Sequence, residues 1–391
     1  MNLDAALSTS KLLAGAAFLH FNDDSTWYVY LATLLADRYN KFNNRRRLSS
    51  LPVNDEFGLI RQWTNPYQTA AMQKSLGVVV GIGDDAAVVE MKAGFQLVLS
   101  SDTMVQDIHF NEKTMRMSDV GFKAMAAALS DLSAMGAIPK YALVSLTLPK
   151  NADITLSKQL YEGLYACADQ FGVAIVGGDT TSTLGGWVVT IQVTGEIEAG
   201  MALLRSTASP GDIVFITGPL GCSAAGLDYL NTESPLKLDL NQSESIERLI
   251  EKHRRPLPQI LAGRTLLHSG SCHALNDISD GLASEAWEIA EASKVGILLN
   301  EAMIPRNPDL ILYAELAGKS AMDWILYGGE EYQLIGTAPK SQVAFIEQEF
   351  KKNQLDYHII GEVTELFAGV RLLQLDDIEV EIAKKGYNHF A

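Results

Sequence analysis

The apolar positions along the chain follow helical and strand periods in turn, which predicts a mixed α/β protein. The clearest helix runs from Ser118 to Gly136, with a candidate N-cap at its first residue and a candidate glycine stop at its last. Ala, Met and Leu surround nearly all of it, so we expect it to be buried between other elements. Further helices are predicted at 56–63, 156–171, 244–253, 258–268 and 340–353, and strands at 77–82, 95–99, 141–148, 173–176, 187–197, 213–218 and 274–278.

A carboxylate interrupts the apolar surface of this helix near its C-terminal end. Asp131 would be desolvated there, and the helix macrodipole disfavours negative charge at that end. Lys123 lies two turns earlier, roughly 12 Å along the axis, which is too far for direct pairing. A bound metal ion is one candidate for the compensating cation. An arginine from a second helix, or a hydrogen bond to the carboxylate, is the alternative.

Composition describes a globular chain long enough for two domains. It has 391 residues, of which 47% are hydrophobic and 20% charged. The turn-rich connector around Arg205 predicts a boundary there, giving domains at 56–205 and 206–391 after an N-terminal extension at 1–55. The net charge of −16 argues against a general nucleic-acid binder.

The N-terminal apolar runs and the cysteine spacing favour a cytoplasmic protein without a membrane partner. The apolar runs at 12–19 and 27–35 are too short to span a bilayer. A signal-peptide core, two short amphipathic helices and a start site further along the chain remain open for this region. Cys167, Cys222 and Cys272 are odd in number and lack CxxC spacing, so neither a disulfide framework nor a zinc site is indicated.

Two glycine-rich stretches match nucleotide-binding loop motifs only in part. The first, GIGDDAAVVE at 81–90, matches GxGxxA, but a β-favouring run follows it and Asp84 with Asp85 would repel a pyrophosphate. We therefore predict a glycine turn between two strands. The second, GPLGCSAAG at 218–226, lacks the GK[ST] ending of a P-loop.

Acidic residues recur at predicted strand ends and glycine turns in well-separated segments. The set comprises Asp84, Asp85, Asp102, Asp131, Asp179, Asp277 and Asp280. One Asp beside a Gly is usually a turn former, but the repetition indicates a shared oxygen-ligand site. Mg²⁺ is typically held by a few carboxylates and by substrate phosphates, so the pattern predicts a nucleoside triphosphate site.

Phosphoryl transfer at such a site needs positioning and charge neutralisation more than covalent chemistry. The chain has no Ser/His/Asp triad motif and no motif of a nucleophilic cysteine, so direct in-line transfer is the simplest mechanism. Arg205, on the predicted connector, could reach a phosphate; the alternative is an exposed loop arginine.

The order of several motifs adds a family resemblance. These are GIGDDAAVV, SSDTMVQDIHF, ALSDLSAMGA, VGGDTT, RSTASPGD, NDISDGL, GGEEYQL and KGYNHF. From about Glu56 to its end, the chain resembles the thiamine-monophosphate kinase family. Several motifs are shared with the wider superfamily of aminoimidazole-ribonucleotide synthetase, selenophosphate synthetase and a hydrogenase-maturation protein.

The resemblance implies a two-domain aminoimidazole-ribonucleotide synthetase-like fold of the α/β (α+β) class. An N-terminal domain would bind ATP and Mg²⁺ and form a dimeric barrel with a second copy, and a C-terminal α/β domain would follow it. The implied reaction is ATP-dependent phosphorylation of thiamine monophosphate to thiamine pyrophosphate, with several Mg²⁺ ions, in a cleft between the domains of a homodimer.

Site residues also follow from the resemblance. The implied Mg²⁺ ligands are Asp85, Ser100, Ser101, Asp102, Asp131, Asp179, Asp277 and Asp280. The implied nucleotide contacts are Gly178, Asp179, Arg205 and Ser279. The implied contacts to thiamine monophosphate are His109, Glu330 and Tyr387. Two positions depart from the family pattern, Glu331 in place of Asp and Ser101 in place of Thr.

Two rival interpretations stay open. One is a related ATP-dependent synthetase with another substrate; a selenophosphate synthetase is disfavoured because no reactive cysteine lies in a glycine-rich N-terminal segment. The other is a non-catalytic protein that binds divalent ions for structure or interaction.

Overall fold

The structure is a computed structural model, and it describes residues 62–64, 67–82, 86–233 and 237–386. All of them belong to one compact unit, Ile60–Ala391. The predicted extension at 1–55, most of the helix predicted at 56–63, and the site candidates Asp85 and Tyr387 lie outside the described residues.

Ten helices and thirteen strands are numbered here in chain order. The helices are α1 (Ala70–Ser75), α2 (Met117–Ala134), α3 (Ile154–Gln170), α4 (Cys222–Asn231), α5 (Leu240–Arg254), α6 (Ile260–Ser269), α7 (Leu282–Ser293), α8 (Pro308–Ala317), α9 (Ala321–Tyr327) and α10 (Val343–Lys352). The strands are β1 (Val78–Val80), β2 (Val88–Val89), β3 (Phe95–Val105), β4 (Ile138–Pro149), β5 (Ala174–Thr183), β6 (Val188–Glu198), β7 (Asp212–Ile216), β8 (Ala274–Asp277), β9 (Gly296–Asn300), β10 (Leu334–Pro339), β11 (His358–Thr364), β12 (Gly369–Leu373) and β13 (Glu379–Glu381).

The N-terminal half is a four-stranded sheet in the order β3-β6-β4-β5, with α2 and α3 on one face. Buried Met104, Ile191 and Leu146 alternate with exposed or half-buried neighbours, as a one-sided sheet requires. Helices α2 and α3 pack closely because a glycine of each helix lies against the backbone of the other where they cross. A Cβ at Gly121 would lie 2.0 Å from the Leu160 carbonyl oxygen.

The other face of this sheet is only partly covered. The antiparallel hairpin β1–β2 packs near Tyr141, whose hydroxyl donates to the Leu76 carbonyl at 3.0 Å. Beyond the hairpin, Leu97, Leu99 and Leu143 remain 46%, 66% and 41% exposed. Within the described residues, this part of the sheet is therefore an apolar surface without a covering element.

The C-terminal half is a seven-stranded sheet in the order β13-β12-β9-β11-β7-β10-β8. Only the β9–β12 pair is parallel among its ladders. Strand β7 is buried along its whole length, as expected for a central strand. Helix α7 packs against β8, β9, β10 and β12 and carries much of the core of this half.

Helix α2 joins the two halves, which confirms the prediction that this helix is buried between other elements. It contacts β3 and β6 on one side and β8 and α6 on the other. A Cβ at Gly263 would lie 2.1 Å from the Ser133 carbonyl oxygen, so α6 can cross α2 only with glycine at this point. The end of α2 is thereby held against the end of β8.

The predicted N-cap of the first helix is wrong. Helix α2 begins at Met117 after the extended backbone of Arg116, so Ser118 already lies in its first turn, whereas Gly136 ends the helix with φ +72° as predicted. Helix α7 begins at Leu282, and its N-cap is Gly281. The Asp280 backbone N–H, in the loop before α7, donates to the Glu285 carboxylate from within the helix.

Among the described residues, no helix is long and apolar enough to cross a membrane.

Candidate functional site

Strand β3 supplies the first pair of site residues. It was predicted to end at Leu99, but it runs to Val105 because it pairs with β6 along its whole length. Side chains alternate along it, so Ser100 and Asp102 share the face that α2 covers, whereas Ser101 lies on the opposite face. The three residues predicted as neighbours at a strand end are therefore divided between two faces.

Helix α2 and strand β8 bring two further carboxylates to the same place. The Ser100 hydroxyl donates to Asp131 Oδ2, and the Ser130 hydroxyl donates to Asp277 Oδ2 at 2.7 Å. Asp277 ends β8 and is 2% exposed. We call the group formed by Asp102, Asp131, Asp277, Asp280 and Glu285 the acidic corner.

The charges of the acidic corner repel one another. Burial, followed by the neighbouring charges of Asp131 and Asp280, raises the pKa of Asp102 to about 6. Burial and then Asp131 raise the pKa of Asp277 to about 7. Burial also raises the pKa of Asp131, against the Ser100 hydrogen bond and the charge of Arg205. Such mutual repulsion is relieved by a cation.

Glu285 is a member of this group that the sequence analysis missed. It is 4% exposed, and burial followed by Asp277 raises its pKa to about 8. It accepts hydrogen bonds from the Asp280 backbone N–H at 3.2 Å and from the Asn276 side chain. The available signal was an acidic residue in the first turn of an otherwise apolar helix, SDGLASEAWEIA.

Arg205 supplies positive charge at the edge of the corner. It lies in a short 3-10 turn, and its Nε donates to Asn276 Oδ1 at 2.7 Å. One of its terminal nitrogens lies 3.8 Å from Glu288. The side chain is 49% exposed. It is therefore held beside the corner while part of the guanidinium stays accessible to an anion.

A cavity of about 430 Å³ opens beside these residues. Its polar lining consists of Ser100, Asp131, Arg205, Ser206, Asn276 and Asp277. Its apolar lining consists of Val98, Leu99, Leu132, Ala134, Met135, Leu204 and Leu275. Ligand sites typically combine apolar lining with a few polar groups in this way.

The loop that carries Glu330 lies against the Ser279 loop. The Glu330 backbone N–H donates to the Ser279 carbonyl at 2.6 Å, and Glu330 adopts φ +63°. Its carboxylate contacts the Lys123 ammonium and is 26% exposed. His109, another acceptor-site candidate, accepts the Val105 backbone N–H on Nδ1 at 3.0 Å, so part of its ring holds the local turn.

Gly178 and Asp179 lie away from the acidic corner within one chain. Strand β5 was predicted to end before them, but it continues to Thr183 because it pairs with β4 up to Pro149. Asp179 is exposed and lies on the face of the sheet shared by Thr103 and Thr190. Three interstrand spacings, roughly 14 Å, separate β5 from β3. The chain alone does not bring Asp179 to Asp102.

In the described part of the chain, no three His, Cys, Asp or Glu side chains are arranged to hold one metal ion by themselves. The acidic corner instead offers carboxylate oxygens of buried and half-buried residues next to an open cavity. This arrangement suits a hard cation that takes its remaining ligands from water and from phosphate oxygens.

Comparison with known proteins places both halves in one superfamily. Residues 83–197 match the AIR synthase related protein, N-terminal domain, and residues 209–370 match the AIR synthase related protein, C-terminal domain. A thiamine-monophosphate kinase of Bacillus subtilis is 42% identical over 336 residues, covering 86% of this chain and 99% of that protein.

Solved structures agree with this result. A thiamine-monophosphate kinase from Stenotrophomonas maltophilia superposes with a TM-score of 0.68 at 32% identity, covering 77% of this chain and 94% of that one. A structure named AaThiL complexed with AMPPCP and TMP gives a TM-score of 0.66 at 31% identity, covering 88% of this chain and 100% of that one.

Proposed function

Because the chain belongs to the thiamine-monophosphate kinase family, we propose that it transfers the γ-phosphate of ATP to thiamine monophosphate, giving thiamine pyrophosphate and ADP. A related structure that carries AMPPCP and TMP supports both substrates. AMPPCP is an ATP analogue, so that complex pairs a nucleotide with the acceptor.

The acidic corner is the observation that carries this proposal. Asp102, Asp131 and Asp277 come from three separate segments, yet the charge of Asp131 raises the pKa of both others. Arg205 partly compensates this charge, since it lowers the pKa of Asp131 and Asp277, and its Nε is already hydrogen-bonded to Asn276. A divalent cation therefore fits the donor set present, which consists of carboxylate and hydroxyl oxygens on buried and half-buried residues.

In this proposal, several Mg²⁺ ions bind to residues of β3, α2, β8 and the loops beside them. The proposed ligands are Asp85, Ser100, Ser101, Asp102, Asp131, Asp179, Asp277 and Asp280. When bound, Mg²⁺ neutralises charge on the β- and γ-phosphates. Arg205 and Ser279 lie beside the corner and would contact the nucleotide, as would Gly178 and Asp179.

Ser101 and Asp179 suggest how a second chain contributes. Both lie on the open face of the N-terminal sheet, beside exposed Leu97, Leu99 and Leu143. We infer a homodimer in which this face packs on its counterpart and the two sheets form a barrel. Apolar surface would then be buried, and Asp179 would complete a site together with a second copy.

The acceptor would bind on the Glu330 side of the corner. Glu330 can accept hydrogen bonds from the aminopyrimidine of thiamine monophosphate. His109 and Tyr387 are the other proposed contacts, and the Tyr387 ring could stack on the same group.

A direct assay tests the proposed function. Purified protein incubated with MgATP and thiamine monophosphate should release thiamine pyrophosphate and ADP in equal amounts, and chelation of Mg²⁺ should stop both. Thiamine lacks the accepting phosphate and serves as the matched control acceptor. Absence of thiamine pyrophosphate from a folded preparation would exclude the proposed reaction.

A further inference from the structure

A second buried polar group lies outside the acidic corner, on the same helix. Lys123 is 0% exposed on α2, and its ammonium contacts the carboxylate of Glu330. His253 from α5 is also 0% exposed, with Nδ1 3.4 Å from Lys123 Nζ and 3.6 Å from Glu330 Oε2. We call Lys123, His253 and Glu330 the lysine cluster.

His253 is a neutral member of this cluster. Burial, followed by the charge of Lys123, lowers its pKa to about 2. Because the Lys123 ammonium can only donate, Nδ1 must accept from it, and the ring proton is then on Nε2. Nε2 has no hydrogen-bond partner in the described ranges. The Ser223 hydroxyl lies 3.3 Å from the same Nδ1, so this nitrogen faces both Ser223 and Lys123.

The backbone of Glu330 is fixed independently. Its N–H donates to the Ser279 carbonyl at 2.6 Å, and the preceding Gly329 lies so close that a Cβ there would be 2.6 Å from the same oxygen. The main chain therefore holds Glu330 beside the Ser279 loop, which contacts the nucleotide in the proposed function. Lys123 contacts the carboxylate from inside the protein, and the exposed 26% of the side chain remains available for a ligand.

A role in stability alone accounts poorly for this arrangement. Burial lowers the pKa of Lys123, against the opposing charge of Glu330, so the ammonium is costly to bury. Replacing a buried ion pair with apolar residues is often neutral or stabilising. A methionine would fill the space of Lys123 without that cost. The lysine is therefore better explained by what it does to Glu330.

We propose that Lys123 is a positioning residue for the acceptor, holding the Glu330 carboxylate directed towards thiamine monophosphate. His253 accepts a second proton of the ammonium and so fixes it between two partners. This inference rests on the proposed function, because it assigns Glu330 to the acceptor.

Kinetics of Lys123→Met test the inference. We expect KM for thiamine monophosphate to rise roughly 10- to 100-fold, as when a group that orients a binding residue is removed. KM for ATP should stay within about twofold and kcat within about threefold. Lys158→Met is the matched control, because Lys158 is an exposed lysine on α3 whose only described ion pair, with Glu162, spans 3.9 Å; it should change none of these values.

A double-mutant cycle separates positioning from an independent effect. If Lys123 acts through Glu330, then Lys123→Met combined with Glu330→Gln should raise KM for thiamine monophosphate no more than Glu330→Gln alone. Three results would overturn the inference. The increases in KM for thiamine monophosphate caused by the two substitutions could multiply in the double variant. KM could be unchanged in Lys123→Met, or KM for ATP could rise equally. Should Lys123→Met alone fail to fold, the double variant is compared with Glu330→Gln.

Calorimetric binding of thiamine monophosphate to the wild-type protein keeps this inference distinct from the proposed function. Wild-type protein that neither binds nor phosphorylates the acceptor would reject the proposed function, and the acceptor role of Lys123 with it. Active wild-type protein with an unaffected Lys123→Met variant would reject only the role of Lys123.

Discussion

The two ends of helix α2 each carry an aspartate, buried at the N-terminal end and half-buried at the C-terminal end, and the groups around the two carboxylates differ in charge. Asp119, in the first turn, is 0% exposed and is hydrogen-bonded by Arg116 at 2.9 Å and Arg255 at 3.0 Å. Burial acts to raise its pKa, but these two arginines outweigh burial and hold the pKa below its usual value. The helix dipole also favours a carboxylate at this end.

Asp131, in the last turn of the same helix, lies at the unfavourable end of the dipole. Its hydrogen bond comes from a neutral serine, and its neighbours include two further carboxylates. Its pKa is raised, chiefly by burial. The comparison teaches that the fold pairs Asp119 with two arginines of its own, whereas Asp131 receives its hydrogen bond from a neutral serine, which supports the proposed cation there. The first has a structural role, and the second forms part of a site.

Neutralising Asp131 should produce the largest effect on activity. We expect Asp131→Asn to lower kcat/KM for MgATP by about 10²- to 10³-fold, the range observed when one preorganised electrostatic contact to a transition state is removed. The protein should remain folded, because the substitution removes like-charge repulsion. Steady-state kinetics and circular dichroism check both parts. Normal turnover would show that Asp131 is not a ligand.

Neutralising Asp119 should reverse this pattern. Asp119→Asn weakens its hydrogen bonds to two arginines that are 66% and 32% exposed, and we expect it to lower the free energy of unfolding by about 2 kcal/mol, typical of losing a hydrogen bond to a charged group. Urea denaturation measures the change. Activity per folded molecule should stay near that of the wild type, and a selective loss of activity without loss of stability would contradict the comparison.

Thermal melts with Mg²⁺ should show that the metal depends on Asp131, at the C-terminal end of α2. Mg²⁺ with AMPPCP at about 100 times its dissociation constant should add about 2.7 kcal/mol to the free energy of unfolding. At the same concentrations, binding that is tenfold weaker or more should lower this increment by at least about 1.3 kcal/mol in Asp131→Asn. An equal increment in both proteins would place the metal elsewhere.

The smallest expected effect is on pH dependence. The unfolded-state pKa of Asp is near 4, whereas that of Asp102 is about 6 and that of Asp277 about 7 in the folded protein. A raised folded-state pKa stabilises the fold at low pH, and this contribution is lost as pH rises through the folded value. Without metal, the acidic corner should therefore lose stability between about pH 4 and pH 7.

Protons and Mg²⁺ compete for the same oxygens, so the increment in Tm given by Mg²⁺ should be larger at pH 8 than at pH 6. Parallel melts at the two values, with and without Mg²⁺, provide the measurement. An increment that is independent of pH would show that these carboxylates do not bind the ion.

Much of the site could be predicted from local sequence. The burial of α2, its stop at Gly136 and the position of Asp277 at the end of β8 follow from composition and turn residues, and all three are confirmed. The length of β3 was wrong because Ser and Asp weaken its pattern, while pairing with β6 extends it. The length of β3 is set by tertiary pairing with β6, which local propensity does not predict.

The lysine cluster could not be predicted in this way. Lys123 and Glu330 are 207 positions apart, and His253 is 130 positions from Lys123. Helical spacing correctly indicated that Lys123 is too far from Asp131 to pair with it, but it gave no partner. Only the packing of α2 against the C-terminal half supplies one. The family resemblance suggested Glu330 as a site residue and gave no role to the lysine beneath it.

Equilibrium binding tests the central claim most directly, because it asks whether the acidic corner binds a metal-bearing nucleotide. Isothermal titration of Mg²⁺ and AMPPCP into the wild-type protein, Asp131→Asn and Asp119→Asn should give binding to the wild type and to folded Asp119→Asn. Binding to Asp131→Asn should be at least about tenfold weaker, equivalent to about 1.4 kcal/mol. Equal affinity in Asp131→Asn and the wild type would contradict the account.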